Sequence, residues 1–348
     1  MAKVLVAMSG GVDSATTAQR LIGDGHTCTA ITLSLLDTDT GSCGTARDQE
    51  DARLAAARMG IPFILYEAKD VFRREVVDRF IAAYERGHTP NPCVECNRYL
   101  KFGLLHAFRK ERGYDYLATG HYARVCYEEG RYLLKRALDE SKDQSYFLYS
   151  LTQEQLAHTL FPLGELTKTA VREQAAEAGL SNANKPDSQD ICFVSDGDYA
   201  AFLEHARGSA YPVGDFVSPT GEVLGKHKGV VRYTIGQRKG LGIAAKEPLY
   251  VLSLDTHANT VTIGGGDALY RTTLEAVDCN FISCDGIPEP RHLTAKIRYR
   301  HKAEPCTVWQ TGEGTIRVVF DTPVRAITPG QAVVLYDGDI VVGGGTIV

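Results

Sequence analysis

Apolar runs alternate with helical patterns over about the first 200 residues of the chain. The runs predict strands at residues 3–8, 28–35, 63–66 and 116–118, and the patterns between them predict helices at 15–22, 47–59 and 71–84. Gly and Pro residues close several of these elements. Buried strands separated by helices are typical of an α/β domain with a parallel, doubly wound sheet.

The pattern changes after about residue 205. Short β-branched stretches at residues 229–233, 249–254, 260–263, 293–299, 315–320 and 332–336 are separated by Gly, Pro, Asp and Asn. Strand signals at this spacing predict small, β-rich, barrel-like domains. We therefore expect three domains at residues 1–204, 205–268 and 269–348, with a soft boundary near the glycines at 264–266.

Composition supports a folded chain in a reducing compartment. Hydrophobic residues make up 44% of the 348 residues, which disfavours disorder. No apolar run approaches the roughly 18 residues of a membrane helix, and the N-terminal run is too short for a signal peptide. The nine cysteines are sparse and odd in number, so a disulfide scaffold is disfavoured. We expect a cytoplasmic protein with no membrane association.

The net charge of the whole chain and the charge of its individual stretches indicate different partners. The 43 acidic and 38 basic residues leave a net charge of −5, which alone disfavours a nucleic-acid partner. Two stretches, at residues 223–246 and 290–303, nevertheless contain several Lys and Arg residues and no acid. Such stretches suit contact with a phosphate backbone, and interleaved aromatic residues suit stacking on unpaired bases.

A glycine-rich loop lies between the first strand and the first helix. Residues 9–14 read Ser-Gly-Gly-Val-Asp-Ser. Glycine lets the backbone approach phosphate oxygens, and the helix N-terminus favours an anion. Asp13 is a candidate Mg²⁺ ligand against those phosphates. The loop lacks the lysine and spacing of a Walker A motif, and it resembles the PP-loop of ATP pyrophosphatases, which release AMP and pyrophosphate.

Three cysteines have contexts that indicate chemistry. Cys93 and Cys96 open a helical pattern for which Asn91 suits the N-cap and Pro92 the first position. A helix N-terminus lowers a thiol pKa and favours the nucleophilic thiolate. Cys192 follows a polar loop. The C-x-x-C spacing alone is compatible with redox, zinc or iron–sulfur chemistry.

Several long motifs together carry a more specific resemblance. They occupy residues 9–14, 91–102, 118–122, 141–148, 161–166, 187–193 and 233–242. With them the chain resembles the tRNA-specific 2-thiouridylases over essentially its whole length. The resemblance implies a sulfurtransferase that uses ATP to adenylate the C2 oxygen of uridine 34, the tRNA wobble base. Sulfur from an enzyme cysteine persulfide then gives 2-thiouridine, AMP and pyrophosphate.

The resemblance also implies residue roles and partners. Cys96 is the expected nucleophile and Cys192 the persulfide carrier, and a Cys96–Cys192 disulfide would remain after each cycle. ATP and Mg²⁺ are the expected cofactors, and the expected partners are a tRNA with uridine 34 and a sulfur-relay donor protein. The implied nucleotide contacts are Ala7, Met8, Ser9, Gly10, Gly11, Val12, Asp13, Ser14, Leu33 and Gly120. The implied tRNA contacts are Asn91, Pro92, Cys93, His121, Lys142, Asp143, Gln144, Arg298, Tyr299 and Gln331.

One departure leaves the sulfur route open. Many relatives have Asp where this chain has Cys93, so Cys93 is either an accessory thiol or a ligand, with Cys96 and Cys192, of a [4Fe–4S] cluster that would deliver sulfide. We favour the persulfide route. Two other functions compete with thiolation: a PP-loop synthetase that adenylates a small metabolite, and a noncatalytic tRNA-binding or iron–sulfur carrier protein. The basic β-rich half argues against the first, and the intact loop at residues 9–14 argues against the second.

Overall fold

A computed structural model describes residues 1–36, 44–178, 191–194 and 197–348. Its N-terminal region contains strands β1 (Lys3–Ala7), β2 (Thr27–Ser34), β3 (Phe63–Glu67), β4 (Tyr116–Thr119), β5 (Ala123–Glu128), β6 (Arg131–Arg136) and β7 (Thr159–Leu160). Five of them form a parallel sheet in the order β3-β2-β1-β4-β7. The predicted α/β fold with a parallel N-terminal sheet is confirmed.

Helices cover this sheet and extend from it. They are α1 (Val12–Gly23), α2 (Ala46–Arg58), α3 (Lys69–Phe72), α4 (Asp78–Glu85), α5 (Pro92–Glu95), α6 (Leu105–Glu111), α7 (Gln153–Ala157), α8 (Lys168–Glu177) and α9 (Tyr199–Arg207). A π-helical turn, Arg73–Val77, joins α3 to α4, and a longer one, Cys96–Leu104, joins α5 to α6. The predicted helix at 71–84 is therefore one composite helix. A short 3₁₀ segment, Ser145–Leu148, precedes α7.

The middle region is a small mixed sheet. It contains β8 (Gly214–Val217), β9 (Val223–His227), β10 (Tyr250–Asp255) and β11 (Thr260–Gly264) in the order β10-β11-β8-β9, with β11 and β8 parallel. The strand predicted at 229–233 is wrong, because Val230–Arg232 forms a 3₁₀ turn. Gly229 has a φ of 110°, and its N–H donates to the His227 ring 3.1 Å away. This reversal turns Val230 and Val231 into the core.

The C-terminal region is a closed barrel. Its strands are β12 (Tyr270–Phe281), β13 (Arg291–Lys296), β14 (Glu304–Gly312), β15 (Thr315–Arg325), β16 (Ala332–Asp337) and β17 (Ile340–Ile347). They pair in the order β12-β15-β14-β13-β16-β17, and β17 pairs back to β12. All pairs within the barrel are antiparallel. The expectation of barrel-like β structure after the α/β region is confirmed.

The three regions share their cores. One hydrophobic cluster joins Phe72 and Phe80 of the N-terminal region to Phe216 and Val251 of the middle sheet. The β5–β6 hairpin reaches the barrel, where Arg131 donates to the carbonyl of Ile282 at 2.6 Å. Among the helices that the structure describes, none has the length and apolar character needed to span a bilayer.

Candidate active site

The carboxyl ends of β1, β2 and β4 meet at one edge of the parallel sheet. Ala7, the last residue of β1, pairs with Ile31 of β2 on one side and with Thr119 of β4 on the other. Ligands of open α/β sheets bind outside the carboxyl ends of the strands. The predicted nucleotide residues, from Ala7 to Ser14 with Leu33 and Gly120, all lie at this edge, which we call the nucleotide edge.

The loop at residues 9–14 is held in shape by its own hydrogen bonds. The Ser9 N–H donates to Ser14 Oγ at 3.1 Å, and the Ser14 hydroxyl donates to the carbonyl of Gly11 at the same distance. Gly10 has a φ of +71°, and a Cβ there would collide with the backbone carbonyl of Asp48. Gly11 is the N-cap of α1 and provides no side-chain cap. The first turn of α1 is therefore a suitable anion site.

A close backbone contact fixes Gly120 as glycine. A Cβ at this position would lie 2.9 Å from both Asp13 C and Ser14 N. No such atom fits without moving the loop, because real Cβ contacts of this kind are essentially absent below 3.0 Å. The residue that follows β4 thus packs directly against the first turn of α1, which accounts for glycine at the predicted position.

Asp13 is engaged by a lysine that sequence reasoning missed. Lys168 Nζ lies 2.8 Å from each carboxylate oxygen of Asp13, and the Tyr122 hydroxyl donates to one of them at 2.9 Å. The lysine side chain is only 9% exposed and that of Asp13 is 29% exposed. Lys168 occupies the first turn of α8, after the N-cap Thr167. A cation is unfavourable at a helix N-terminus, and this anomaly is the sequence signal that an anionic partner lies nearby.

A divalent cation fits this carboxylate only in a limited way. Mg²⁺ commonly takes one or two carboxylates together with substrate phosphates. Asp13 is the carboxylate of the loop, and Lys168 already neutralises it. Within the described ranges, no group of three or more His, Cys, Asp or Glu side chains is arranged to hold a metal ion. Asp13 therefore fits Mg²⁺ as one ligand alongside ATP phosphates.

The continuous helical stretch formed by α5, the π-helical Cys96–Leu104 and α6, which we call the cysteine helix, begins as the sequence predicts. The Asn91 side chain accepts a hydrogen bond from the Cys93 N–H at 3.2 Å, and Pro92 is the first helical residue. Cys93 is exposed and Cys96 is half-buried. The π-helical stretch starts at Cys96, and π-bulges are frequent at functional sites. Both thiols thus lie at the start of a helix whose geometry is irregular from the second thiol onward.

A carboxyl group between the two thiols was not singled out from the sequence. Glu95 lies between Cys93 and Cys96 and is half-buried. Burial raises the pKa of its carboxyl, and Arg98 and Arg79 oppose this shift. The segment between the two thiols therefore carries one half-buried acid.

Cys192 borders the same core as Cys96. Both thiols are half-buried and pack against the hydrophobic cluster that contains Phe80 and Phe193. Residues 187–190 of the same motif lie outside the described residues. Cys93, Cys96 and Cys192 are all described, and they are not among any group able to hold a metal. Nothing in the described residues supports a [4Fe–4S] cluster on these three thiols, and that alternative stays a prediction.

The predicted tRNA contacts in the N-terminal region already have protein partners. His121 is buried, with its Nδ1 2.7 Å from the Thr119 hydroxyl and its Nε2 3.5 Å from Lys101 Nζ. Burial, followed by Lys101, lowers the pKa of His121 well below its usual value. Asp143 accepts from the N–H groups of Ala137 and Ser145. Their roles toward tRNA stay predictions.

The remaining predicted tRNA contacts are similarly engaged. Gln144 accepts from the Tyr122 N–H at 3.0 Å, and the Tyr299 ring lies 4.4 Å from that of Phe147. Arg298 Nη2 donates to the carbonyl of Ile235 at 3.1 Å, and Gln331 Nε2 donates to the carbonyl of Thr89 at 2.8 Å. Lys142 is half-buried. These assignments also stay predictions.

Part of the basic surface is neutralised by ion pairs. Lys226 pairs with Asp215 and Arg232 with Glu204 in the middle region, and Arg291 pairs with Asp337 on the barrel. The exposed cations of the two acid-free stretches are Lys226, Lys228, Arg238, Lys239, Lys246, Arg291, Arg300 and Lys302. The surface that remains for a polyanion is smaller than the sequence suggests.

Comparison with known proteins identifies the family. Residues 2–196 match the family described as "tRNA methyl transferase HUP domain", residues 200–265 its "PRC-barrel domain", and residues 271–347 the "Aminomethyltransferase beta-barrel domain". A protein of Acetivibrio thermocellus named tRNA-specific 2-thiouridylase MnmA is 48% identical over 99% of both chains. The chain belongs to the tRNA-specific 2-thiouridylase family.

Other relatives carry the same name. The proteins of Moorella thermoacetica and Clostridioides difficile are 49% and 48% identical, each over 99% of this chain and 98% of their own length. Among solved structures, a 4-thiouridine synthetase–RNA complex with bound ATP aligns with a TM-score of 0.40 and 18% identity, over 59% of this chain and 50% of that one. The relatives named 2-thiouridylase each match 99% of this chain, so membership in their family extends along nearly its whole length.

Proposed function

We propose that this protein is a tRNA 2-thiouridylase that activates uridine 34 with ATP and replaces its C2 oxygen with sulfur. The observation that carries the proposal is the presence, in one domain of a 2-thiouridylase-family chain, of a phosphate-binding loop at the nucleotide edge and a cysteine helix capped at Asn91. One part suits adenylation and the other suits sulfur transfer.

In the first step the C2 oxygen of the base attacks the α-phosphorus of ATP, and pyrophosphate leaves. The loop N–H groups and Lys168 surround the departing phosphates with positive charge, which stabilises the transition state. Mg²⁺, held by Asp13 and the phosphates, would supply further charge neutralisation. The base is then an adenylate whose C2 carbon is open to a sulfur nucleophile.

In the second step the terminal sulfur of a Cys192 persulfide attacks C2, and AMP leaves. The Cys96 thiolate then attacks Cys192 Sγ, which forms a Cys96–Cys192 disulfide and releases the 2-thiouridine. A two-electron thiol reductant restores both thiols, and a sulfur-relay protein reloads Cys192. Support for this pairing comes from the packing of both half-buried cysteines against one hydrophobic cluster. Free thiols of this kind also suit the cytoplasm.

The test is reconstitution with ATP, a persulfide donor and tRNA carrying uridine 34. We expect AMP and pyrophosphate release only with tRNA, and sulfur only at uridine 34. Cys96→Ser and Cys192→Ser should each reduce thiolation by more than about 10³-fold and leave tRNA affinity unchanged. Near-normal thiolation in either variant would contradict the mechanism. AMP release with a small amide acceptor, independent of tRNA, would instead support a metabolite synthetase.

The sulfur route has its own test. The protein is purified anaerobically, and its iron and sulfide are quantified in the wild type and in Cys93→Ala. Persulfide-supported thiolation without iron, unaffected by Cys93→Ala, is the expected result. Stoichiometric iron that is lost together with activity in Cys93→Ala would replace the persulfide route by a cluster.

A further inference from the structure

Lys101 lies between the cysteine helix and the nucleotide edge. It belongs to the π-helical stretch of the cysteine helix, five residues after Cys96. Its Nζ lies 3.5 Å from Nε2 of His121, whose Nδ1 is 2.7 Å from the hydroxyl of Thr119, the last residue of β4. One lysine side chain therefore connects the helix that carries two thiols to the edge of the sheet that carries the phosphate loop.

The contact with His121 brings the Lys101 ammonium group toward the phosphate loop. Thr119 pairs with Ala7, the residue at the end of β1 after which the loop begins. Gly120, the residue before His121, packs directly on the backbone of the first turn of α1. The Lys101 ammonium is thus separated by one side chain from the residues that would surround the phosphates of ATP.

Lys101 is a half-buried cation without a carboxylate partner in the described part of the chain. Its ammonium can only donate, so Nε2 of the neutral His121 ring accepts and the ring Nδ1–H donates to Thr119. This bond uses one of the three ammonium donors. Lys168, by contrast, already bonds to both oxygens of the Asp13 carboxylate. Charged groups are seldom buried unless they are paired, so we expect a ligand to bring an anion to Lys101.

A second buried group on the cysteine helix lacks a hydrogen-bond partner. Asn97 follows Cys96 and precedes Lys101 by four residues, so the side chains of Asn97 and Lys101 lie about one turn apart on one side of the helix. Asn97 is only 4% exposed, and its Oδ1 has no hydrogen-bond partner among the described residues. Buried polar atoms are nearly always bonded in folded proteins, so this side of the helix is suited to a polar ligand.

We propose that Lys101 is a catalytic residue that contacts the α-phosphate of ATP during adenylation and the same phosphate in the uridine adenylate. The inference rests on the proposed function and deepens it. In the first step the bond from the C2 oxygen to the α-phosphorus forms, the bond to pyrophosphate breaks, and the N3 proton of the base passes to solvent. The Lys101 ammonium keeps its own proton and stabilises the charge that grows on the non-bridging oxygens of the α-phosphate.

The same contact serves the second step. The terminal sulfur of the persulfide forms a bond to C2, the bond from C2 to its oxygen breaks, and that oxygen leaves with AMP. The departing phosphate gains negative charge, which an adjacent ammonium stabilises. The N3 proton returns from solvent when 2-thiouridine is released. Because Lys101 lies about one turn from Cys96, a phosphate bound to Lys101 also holds the activated C2 carbon near the cysteine helix.

The experiment uses the full-length protein and three variants. Lys101→Met removes the charge and keeps an unbranched side chain, and Lys101→Arg keeps a cation of different geometry. Lys110→Met is the matched control, because it removes a cation of the same helix whose exposed ammonium pairs with Glu154. Thermal melting reports whether each variant is folded, and Lys101→Arg keeps the test available if Lys101→Met does not fold.

The first readout is single-turnover pyrophosphate release with tRNA and either ATP or each diastereomer of ATP that carries sulfur on the α-phosphorus. We expect Lys101→Met to slow the reaction with ATP by about 10²- to 10³-fold. The rate ratio between ATP and one of the two sulfur analogues, the α-thio effect, should fall by about 5-fold or more in Lys101→Met, because the contact that sulfur disturbs is already absent. Lys110→Met should match the wild type in both the rate and the ratio.

The second readout is nucleotide affinity in the absence of tRNA. AMP retains the α-phosphate and adenosine lacks it, so the comparison of their Kd values isolates the phosphate contact. We expect Lys101→Met to weaken AMP binding by about 10-fold, as for a lost hydrogen bond to a charged group, and to leave adenosine binding within about 2-fold. Lys101→Arg should bind AMP more tightly than Lys101→Met, and Lys110→Met should bind both ligands as the wild type does.

Two outcomes would overturn the inference. An unchanged α-thio effect in Lys101→Met, even with a slower reaction, would mean that the ammonium does not touch the α-phosphate. Equal losses of AMP and adenosine affinity would mean that the substitution distorts the nucleotide edge instead of removing a phosphate contact. Failure of the proposed function is distinguishable, because the wild-type protein would then release no pyrophosphate with tRNA, while AMP and adenosine binding would still report on Lys101.

Discussion

The nucleotide edge is built in the opposite way from the place where the three regions meet, residues 88–91, 234–236 and 326–331, which we call the domain junction. The nucleotide edge depends on one continuous loop between β1 and α1, with glycines and short internal hydrogen bonds. The domain junction joins segments that are more than 200 residues apart in sequence, such as Thr89 and Gln331. A local site is fixed by its own motif, whereas the junction exists only once all three regions have packed together.

In the proposed reaction, this difference separates the two chemical steps. Changes at the nucleotide edge should slow adenylation and leave the cysteine thiols as reactive as before. Changes at the domain junction should leave the rate of adenylation unchanged and alter the reactivity of the cysteine thiols. The predictions below test the nucleotide edge and then the side chains that connect it to the cysteine helix.

Among the changes at the nucleotide edge, the largest effect is expected at the ion pair between Lys168 and Asp13. Lys168→Met removes the charge beside the phosphate loop, and we expect kcat/KM for ATP to fall by about 10²- to 10³-fold. The variant also leaves the Asp13 carboxylate without its cation, which we expect to cost about 1–3 kcal/mol of unfolding free energy. Pyrophosphate release and thermal melting measure the two effects.

A double variant separates charge from stability. Removing both partners, in Lys168→Met with Asp13→Asn, should recover most of the lost unfolding free energy because no unpaired charge remains. The kcat/KM for ATP should not recover in the double variant. Cys96 alkylation should match the wild type in both variants, and a changed alkylation rate would mean that the nucleotide edge and the cysteine helix are not independent.

The sequence predicts the local elements of the nucleotide edge better than the contacts of the domain junction. β1 and β2 agree with prediction to within one residue at each end, and the loop at 9–14 lies at the sheet edge as expected. Lys168 was missed because its partner is 155 residues away. The family resemblance implies tRNA contacts at Arg298 and Gln331, which stay predictions, and no sequence pattern indicates that Gln331 also bonds to the carbonyl of Thr89. The 3₁₀ turn at 230–232 was not predicted, because β-branched residues favour strands and only tertiary packing reverses the chain there.

A second, intermediate effect is expected at Gly120. In Gly120→Ala the new methyl group would lie 2.9 Å from the backbone of Asp13 and Ser14, so the loop must shift. We expect KM for ATP to rise about 10-fold and the unfolding free energy to fall by about 1–3 kcal/mol, as for overpacked sites. Gly23→Ala is the matched control: nothing lies within 4 Å of its Cβ, and alanine favours a helix by up to about 1 kcal/mol. Equal KM values in the two variants would rule out a tight contact at Gly120.

The smallest effect is expected at His121, which links the nucleotide edge to the cysteine helix. Its ring bonds to Thr119 at the nucleotide edge and lies beside Lys101 of the cysteine helix. Because its pKa is lowered well below the usual value in the folded protein, the unfolded chain binds the extra proton first as pH falls. The stabilisation is therefore complete above the unfolded pKa of about 6.5 and declines below it.

His121→Gln removes this titrating group but keeps a polar side chain. Chemical denaturation at pH 7 and pH 5 should show a smaller loss of unfolding free energy in the variant than in the wild type. His106, whose burial lowers its pKa to about 4, lies near Thr159 rather than at the nucleotide edge. His106→Gln should flatten the pH dependence in the same direction by about 2 kcal/mol, yet leave KM for ATP unchanged. A change in both stability and KM for ATP in His121→Gln alone would show that the buried ring couples the nucleotide edge to the cysteine helix. An unchanged KM for ATP in both variants would show that the nucleotide edge and the cysteine helix are independent at this contact.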